Sequence, residues 1–167
     1  DKGIQLITIW EDEWRDKRDI VESMISHKLG ASHSPRVYAR KTTLHPLDSS
    51  VARSFLDSYH IQGSCFSSAY FGLYDDSDEL VAVSAWKKTG DILYLDRYAT
   101  SCTVVGGMGK VLSMGKDIAK NLHCTKIITF SDHQVSDGGL YDTLSFYCDK
   151  ELKPDYRYLV EDKRIHK

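Results

Sequence analysis

The stretch from Thr103 to Lys120, TVVGGMGKVLSMGKDIAK, constrains the fold more than any other part of this 167-residue chain. A glycine-rich turn runs directly into an amphipathic helix, and a β-rich segment, Asp91 to Thr100, precedes it. A helix start leaves its first backbone N–H groups without partners and carries a partial positive charge. Glycines at that point let the phosphates of a ligand approach the backbone closely. Gly106, Gly107 and Gly109 therefore form a candidate pyrophosphate seat, with Val105 before them and Lys110 beside them. A tight strand-to-helix turn that binds nothing accounts for the same glycines, because such loops are common and weak as motifs.

The rest of the chain has room for one domain, or one domain with a small appendage. A net charge of -2 gives no overall nucleic-acid signature, although 22 Lys and Arg residues leave room for a local basic face. No apolar run approaches the ~20 residues a bilayer span requires, so no membrane partner is expected. Cys65, Cys102, Cys124 and Cys148 are widely spaced and form no C-x-x-C pair. That pattern argues against structural zinc and fits reduced thiols in a cytoplasm. The chain starts at Asp1, which suggests a fragment of something longer or a processed product.

Hydrophobic periodicity divides the chain unequally. Ile4 to Trp10 is apolar and β-branched and reads as a buried strand. Glu11, Asp12 and Glu13 suit the first turn of a helix that continues through Ile20, Val21, Met24 and Ile25 to Gly30. Residues 1–30 are thus expected as a strand-helix appendage, 31–35 as a linker, and 36–167 as the main domain. Within it, Arg36 to Thr43 alternates like a strand, His45 to Ser50 reads as a turn with a cap, and Val51 to Tyr59 reads as a helix with Phe55 and Leu56 inward. A three-stranded meander follows over Tyr70–Tyr74, Glu79–Lys87 and Ile92–Thr100. Then come the glycine turn, a helix to about Leu122, a strand at Lys126–Phe130, a short helix over Gly139–Phe146 and a last strand at Tyr156–Val160. The expected class is α/β (α+β): a mixed, mostly antiparallel, twisted sheet with helices on both faces.

Several side chains in this order are suited to chemistry. His60 lies in a polar loop after a helix and has the pKa range to take a proton from an amine; a solvated or capping histidine is the plainer reading. Asp96 and Arg97 are neighbours on a strand and so face opposite sides, which puts one charge against a covered face or a cleft. Arg97 can hold a phosphate or carboxylate with two N–H groups, or simply form a structural ion pair. Asp132 follows the strand KIITF, where the carboxyl ends of strands border a ligand crevice. It reads as a base, as a partner of Arg97, or as a helix cap. Trp86, Tyr94, Tyr98 and Tyr141 can line a tunnel or stack on a base, and on strands such residues are more often packing. Arg36, Arg40, Lys41, Lys87 and Lys88 offer a basic rim for phosphates, or only a solvated sheet edge. His133 has no second ligand at useful spacing, so no metal is expected.

The strand order and four stretches, Glu79–Val83, Leu93–Tyr98, Val104–Lys110 and Leu140–Phe146, resemble the GNAT superfamily of N-acetyltransferases. In that family an R/Q-x-x-G-x-G/A loop holds the pyrophosphate of acetyl-CoA. Gly107-Met108-Gly109 matches its end, while Val104, or Thr103 if the motif is read one residue earlier, stands where Arg or Gln is expected. The resemblance implies an acyl-CoA cofactor, a strand amide near Leu95 to Tyr98 holding the thioester carbonyl, and Tyr141 protonating the departing sulfur. A further resemblance, through Gly3–Trp14, Tyr38–Lys41, His60–Gly63, Leu95–Tyr98, Val104–Gly107 and Ser131–His133, is to a domain of phage-encoded proteins. Its first stretch is similar to the tail of a very-short-patch-repair-type endonuclease, and the rest is similar in outline to Mom-type DNA-modifying enzymes. That implies DNA or another nucleic acid as partner, an upstream nuclease domain and a host cytoplasm. The expected function is an acyl-CoA-dependent N-acyltransferase with His60, Arg97, Asp132 and Tyr141 as catalytic residues. The alternative is a non-catalytic DNA-binding or positioning module.

Overall fold

The computed structural model describes residues 4, 6–153, 156–161 and 163–165. In chain order the elements are α1 (Glu11–Asp16), α2 (Arg18–Lys28), β1 (Arg36–Tyr38), a 3-10 turn (Ala39–Lys41), β2 (Thr43–Pro46), α3 (Ser49–Tyr59), β3 (Ala69–Tyr74), β4 (Leu80–Thr89), β5 (Ile92–Thr100), β6 (Thr103–Val105), α4 (Gly107–Asn121), β7 (Lys126–Thr129), α5 (Gly139–Thr143), β8 (Tyr158–Val160) and β9 (Lys163–Ile165). Among the described residues no helix is long and apolar enough to cross a membrane.

The chain forms two compact units, one over Ser23–Phe130 and the other over the residues up to Glu22 together with those from Ser131 onward. This division differs from the expected boundary at 31–35. Residues 23–35 belong with the larger unit, and the N-terminal segment pairs with the far end of the chain instead of standing apart.

The larger unit is built on a five-stranded sheet in the order β2-β3-β4-β5-β7. The first four strands are antiparallel neighbours, and β7 runs parallel to β5 after the α4 crossover. The expected three-stranded meander is present as β3, β4 and β5, and β2, joined to β3 through α3, adds a fourth strand at its edge. The expected strand Arg36–Thr43 is interrupted at Ala39, where the 3-10 turn buries that alanine and sends β1 to pair with β6 and β2 to pair with β3. His45 and Pro46, expected in a turn, extend β2, which is the sheet's edge and can accept a proline.

Helices cover both faces of this sheet. Asp48 caps α3, accepting from the Ser50 N–H at 2.7 Å. Ala52, Phe55 and Leu56 of α3 form a buried cluster with Tyr70, Val83, Ala85 and Ala99. Trp86 points the other way, as the alternation of a strand requires, and lies against Gly115 of α4. A Cβ at Gly115 would sit 2.3 Å from Trp86 Cη2, so the glycine sets how closely α4 approaches the sheet. Trp86 is fixed in place by an indole N–H donated to Ser84 Oγ at 3.0 Å.

The smaller unit joins the two ends of the chain. The expected strand Ile4–Trp10 is not formed: Ile4 and Leu6 are 79% and 80% exposed, and Gln5 lies outside the described residues. One ladder-like bond remains, from the Thr8 N–H to the Gln134 carbonyl at 3.1 Å. The helix expected over 11–29 breaks at Lys17 into α1 and α2. Glu13 reaches back to the Trp10 N–H at 3.1 Å, closing the start of α1. Arg164 donates to both Asp12 and Glu13 at 2.8 Å and stacks over the Trp10 ring at 4.9 Å. The last strand is the first arm of a β8–β9 hairpin.

Candidate active site

The sheet opens at Asp96. On one side, β4 and β5 pair Ala85 with Arg97 and then Trp86 with Leu95, so Asp96 is the extra residue of a β-bulge. On the other side, the pairing of β5 with β7 stops one residue earlier, at Leu95 and Thr129. Thr129 Oγ1 donates to the Leu95 carbonyl at 3.2 Å and ends the ladder. A bulge bends its strand and raises its twist. Within this unit, the side of β5 that faces away from β4 has no strand against it from Asp96 to Thr100. Unpaired strand N–H and C=O groups of this kind are where an extended ligand can bond.

The mouth of α4 lies against the same stretch. Gly106 turns the chain in a left-handed conformation, φ 78°, and no side chain caps the helix. Among the described residues, none supplies an acceptor to the N–H groups of Gly107, Met108 and Gly109. A Cβ at Gly107 would lie 2.2 Å from Tyr98 Oη and 2.9 Å from Val104 Cγ1. Only glycine lets the helix start press onto Tyr98, two residues beyond the bulge. The Tyr98 hydroxyl is buried with no hydrogen-bond partner among the described residues. Burial, with a smaller push from Cys102, drives this phenol far above its ordinary pKa, so it stays a neutral donor. An uncapped helix start with an orphaned donor beneath it suits a phosphate-bearing group.

Lys110 sits differently from its expected role beside the glycines. Its ammonium donates to the Ala39 carbonyl at 2.9 Å, to the Thr42 carbonyl and to Thr42 Oγ1 at 3.2 Å. It closes the end of the 3-10 turn, so its charge is spent on the protein's own carbonyls. The exposed side chains of Arg40 and Lys41 lie on that turn, next in sequence to Ala39, whose Cβ is 3.8 Å from where a Cβ on Gly106 would stand.

On the α3 side, Asp96 accepts from Ser67 Oγ at 2.7 Å. Ser67 is fixed in turn, its N–H bonded to Tyr70 Oη at 2.9 Å and its hydroxyl 3.3 Å from Cys65 Sγ. His60 terminates α3 at the other end of this loop. Its Nδ1 accepts the Gln62 N–H at 3.1 Å, so the neutral ring carries its proton on Nε2. Arg97 follows the bulge, with Nη1 donating to the Asp96 carbonyl at 2.8 Å and Nε buried without a partner.

The remaining two expected catalytic residues belong to the smaller unit. Asp132 Oδ1 accepts the Gln134 N–H at 3.0 Å, and its carbonyl accepts from Val135 and Ser136, so it anchors a turn. Tyr141, on α5, packs edge-on against Phe146 at 5.8 Å. On the α4 side of β5 the structure sets Gly106, Gly107 and Gly109 at the helix mouth by Tyr98, with Leu95 on the same face; on the opposite side it sets Arg97 with Asp96, the charge that the sequence offered to a cleft, and adds Ser67, which sequence reasoning passed over. One signal for the bulge was available. Leu93 and Leu95 share a face with Tyr98, so the apolar phase of β5 shifts by one residue across Asp96.

No protein-family model and no curated protein sequence matches the chain. Solved structures do. An aminoglycoside acetyltransferase from an uncultured soil metagenomic sample, in complex with trehalose, superposes with a TM-score of 0.54 at 12% identity, over 72% of this chain and 98% of that one. The aminoglycoside N-acetyltransferase AAC(6')-Iy in complex with CoA gives 0.52 at 10% identity, over 70% and 94%. An integron cassette protein from the mobile metagenome of V. cholerae gives 0.53 at 11% identity, over 73% and 94%. With its mostly antiparallel five-stranded sheet and a helix on each face, the chain has the fold of the GNAT-type acetyltransferases.

Proposed function

We propose that this protein is an acyl-CoA-dependent N-acyltransferase. The observation that carries the reading is the meeting, at Tyr98 and Gly107, of an uncapped helix mouth with a bulged strand that lacks a neighbour. When bound, acyl-CoA supplies the acyl group as a thioester. The N–H groups of Gly107 to Gly109 would hold the pyrophosphate oxygens, with the Tyr98 hydroxyl beneath. The unpaired edge of β5 beyond Leu95 would give the acyl carbonyl a backbone N–H, strengthening as charge develops on its oxygen. Asp96, steadied by Ser67, would take the proton that the amine loses as its nitrogen bonds to the acyl carbon. The C–S bond would break in the same exchange, and CoA would leave as the thiolate and pick up its proton from solvent. Tyr98, its phenol raised by burial, would keep its proton and stay a neutral donor.

Val104 in place of the family's Arg or Gln, and the diversion of Lys110, favour one competing reading: a shell that positions DNA without catalysis. A thiol-release assay with acetyl-CoA and a panel of primary amines separates the two. Turnover that falls in Asp96→Asn while CoA binding is kept supports the transferase. Salt-sensitive duplex binding with no CoA binding supports the positioning module.

A further inference from the structure

Arg97 is a cation without a counterion. Its Nη1 is used by the Asp96 carbonyl, its Nε is buried and unpartnered, and no carboxylate pairs with it among the described residues. Leaving a half-buried guanidinium uncompensated is costly, and the Nε–Nη2 edge is the geometry that takes an oxyanion through two parallel N–H···O bonds. The position of Arg97 says which ligand brings that anion. Arg97 lies opposite Ala85 and two residues before Ala99, and both alanines belong to the α3-side cluster. Tyr98, against the mouth of α4, lies on the other face. A pyrophosphate at the helix mouth is therefore on the wrong side of β5 to neutralise Arg97. The anion has to come from the acceptor, on the side that also carries Asp96 and Ser67.

We infer that the acceptor is a small primary amine bearing a carboxylate or phosphate, held by Arg97 while its nitrogen faces Asp96. This rests on the transferase reading above. One cation set into a strand counts one anionic group, whereas a polyanion such as DNA is held by a row of phosphate contacts. The same arrangement disfavours polycationic acceptors.

Matched pairs test the inference: ethanolamine against its phosphate ester, and 1-aminopropane against β-alanine, each with acetyl-CoA. The expected kcat/KM is about tenfold or more higher for the anionic member of at least one pair, because a site built for a polar group rejects the analogue lacking it. Which pair responds tells phosphate from carboxylate. In Arg97→Gln the preference should vanish through KM with kcat kept, and Arg97→Lys should restore part of it. Equal rates within both pairs, a preference for cationic amines, acylation of a DNA oligonucleotide alone, or an equal loss on both members in Arg97→Gln would overturn it. A second readout does not depend on turnover: the whole protein should bind inorganic phosphate or β-alanine by calorimetry, and Arg97→Gln should not, while still binding CoA. Anion binding without CoA binding would leave Arg97's role standing and remove the transferase reading. CoA binding without anion binding would do the reverse.

Discussion

Tyr98 is the residue on which folding and binding pull in opposite directions. Its hydroxyl is buried without an acceptor among the described residues, and such a group costs about 1–3 kcal/mol of stability. Tyr98→Phe is therefore expected to leave the melting temperature unchanged or raise it, while weakening CoA binding by about tenfold, the value of one hydrogen bond. Thermal unfolding and calorimetry on the same sample check both halves, and a fall in stability with unaltered affinity would contradict the assignment. Lys110 should behave the other way. With its ammonium on Ala39 and Thr42, Lys110→Met should destabilise the fold by about 1–3 kcal/mol, since it orphans buried carbonyls, and leave CoA affinity intact. Weaker CoA binding at unchanged stability would return Lys110 to the cofactor seat. The glycine turn was legible in the sequence because glycine before a helix has few uses. What Lys110 does was not, because its partners are 68 and 71 residues away.

At the scale of elements, α4 is held by two close approaches, Gly107 on Tyr98 and Gly115 on Trp86. Gly115→Ala gains about 1 kcal/mol of helix propensity. It also forces a methyl against a tryptophan that is 1% exposed and tied to Ser84, and overpacking of that kind costs about 1–3 kcal/mol. The net expectation is a less stable protein in denaturant titration, and a stabilised one would show that Trp86 can move. The long antiparallel strands and α3 could be read directly, since the strands are apolar runs bounded by turn residues and α3 has one apolar face with Asp48 as its cap. The failures share a cause. Ile4–Trp10 and Arg36–Thr43 have strand composition, but a strand needs a neighbour, and composition does not show whether one arrives. The bulge at Asp96 left only a trace in the sequence, the one-residue shift of the apolar phase of β5, because it is a property of the pairing of β4 with β5.

At the scale of the whole molecule, the two chain ends are fastened by Arg164. Burial pushes the Asp12 carboxyl up, but the hydrogen bond and charge of Arg164 outweigh it and hold it below its ordinary value. A carboxylate lowered by folding adds stability above its unfolded pKa and loses it as pH falls through the folded value. The clasp should be complete above about pH 4 and loosen in stronger acid. The indole N–H of Trp10, bonded to Gln134 and stacked under Arg164, would report this in an NMR pH titration. An Arg164→Gln variant that keeps the same acid transition would refute it. The division into two compact units was not legible in the sequence, because linkers are read from local polarity, whereas the smaller unit is assembled from segments over a hundred residues apart.

The proposed seat for acyl-CoA is made by the mouth of α4 together with the open edge of β5. The most direct measurement is calorimetric titration of the whole protein with CoA and desulfo-CoA, alongside Tyr98→Phe. Saturable one-to-one binding of both ligands is expected, since the seat grips phosphate and strand-like amide rather than sulfur, with weaker binding in the variant. No heat of binding at millimolar ligand, in a protein shown to be folded, would contradict it.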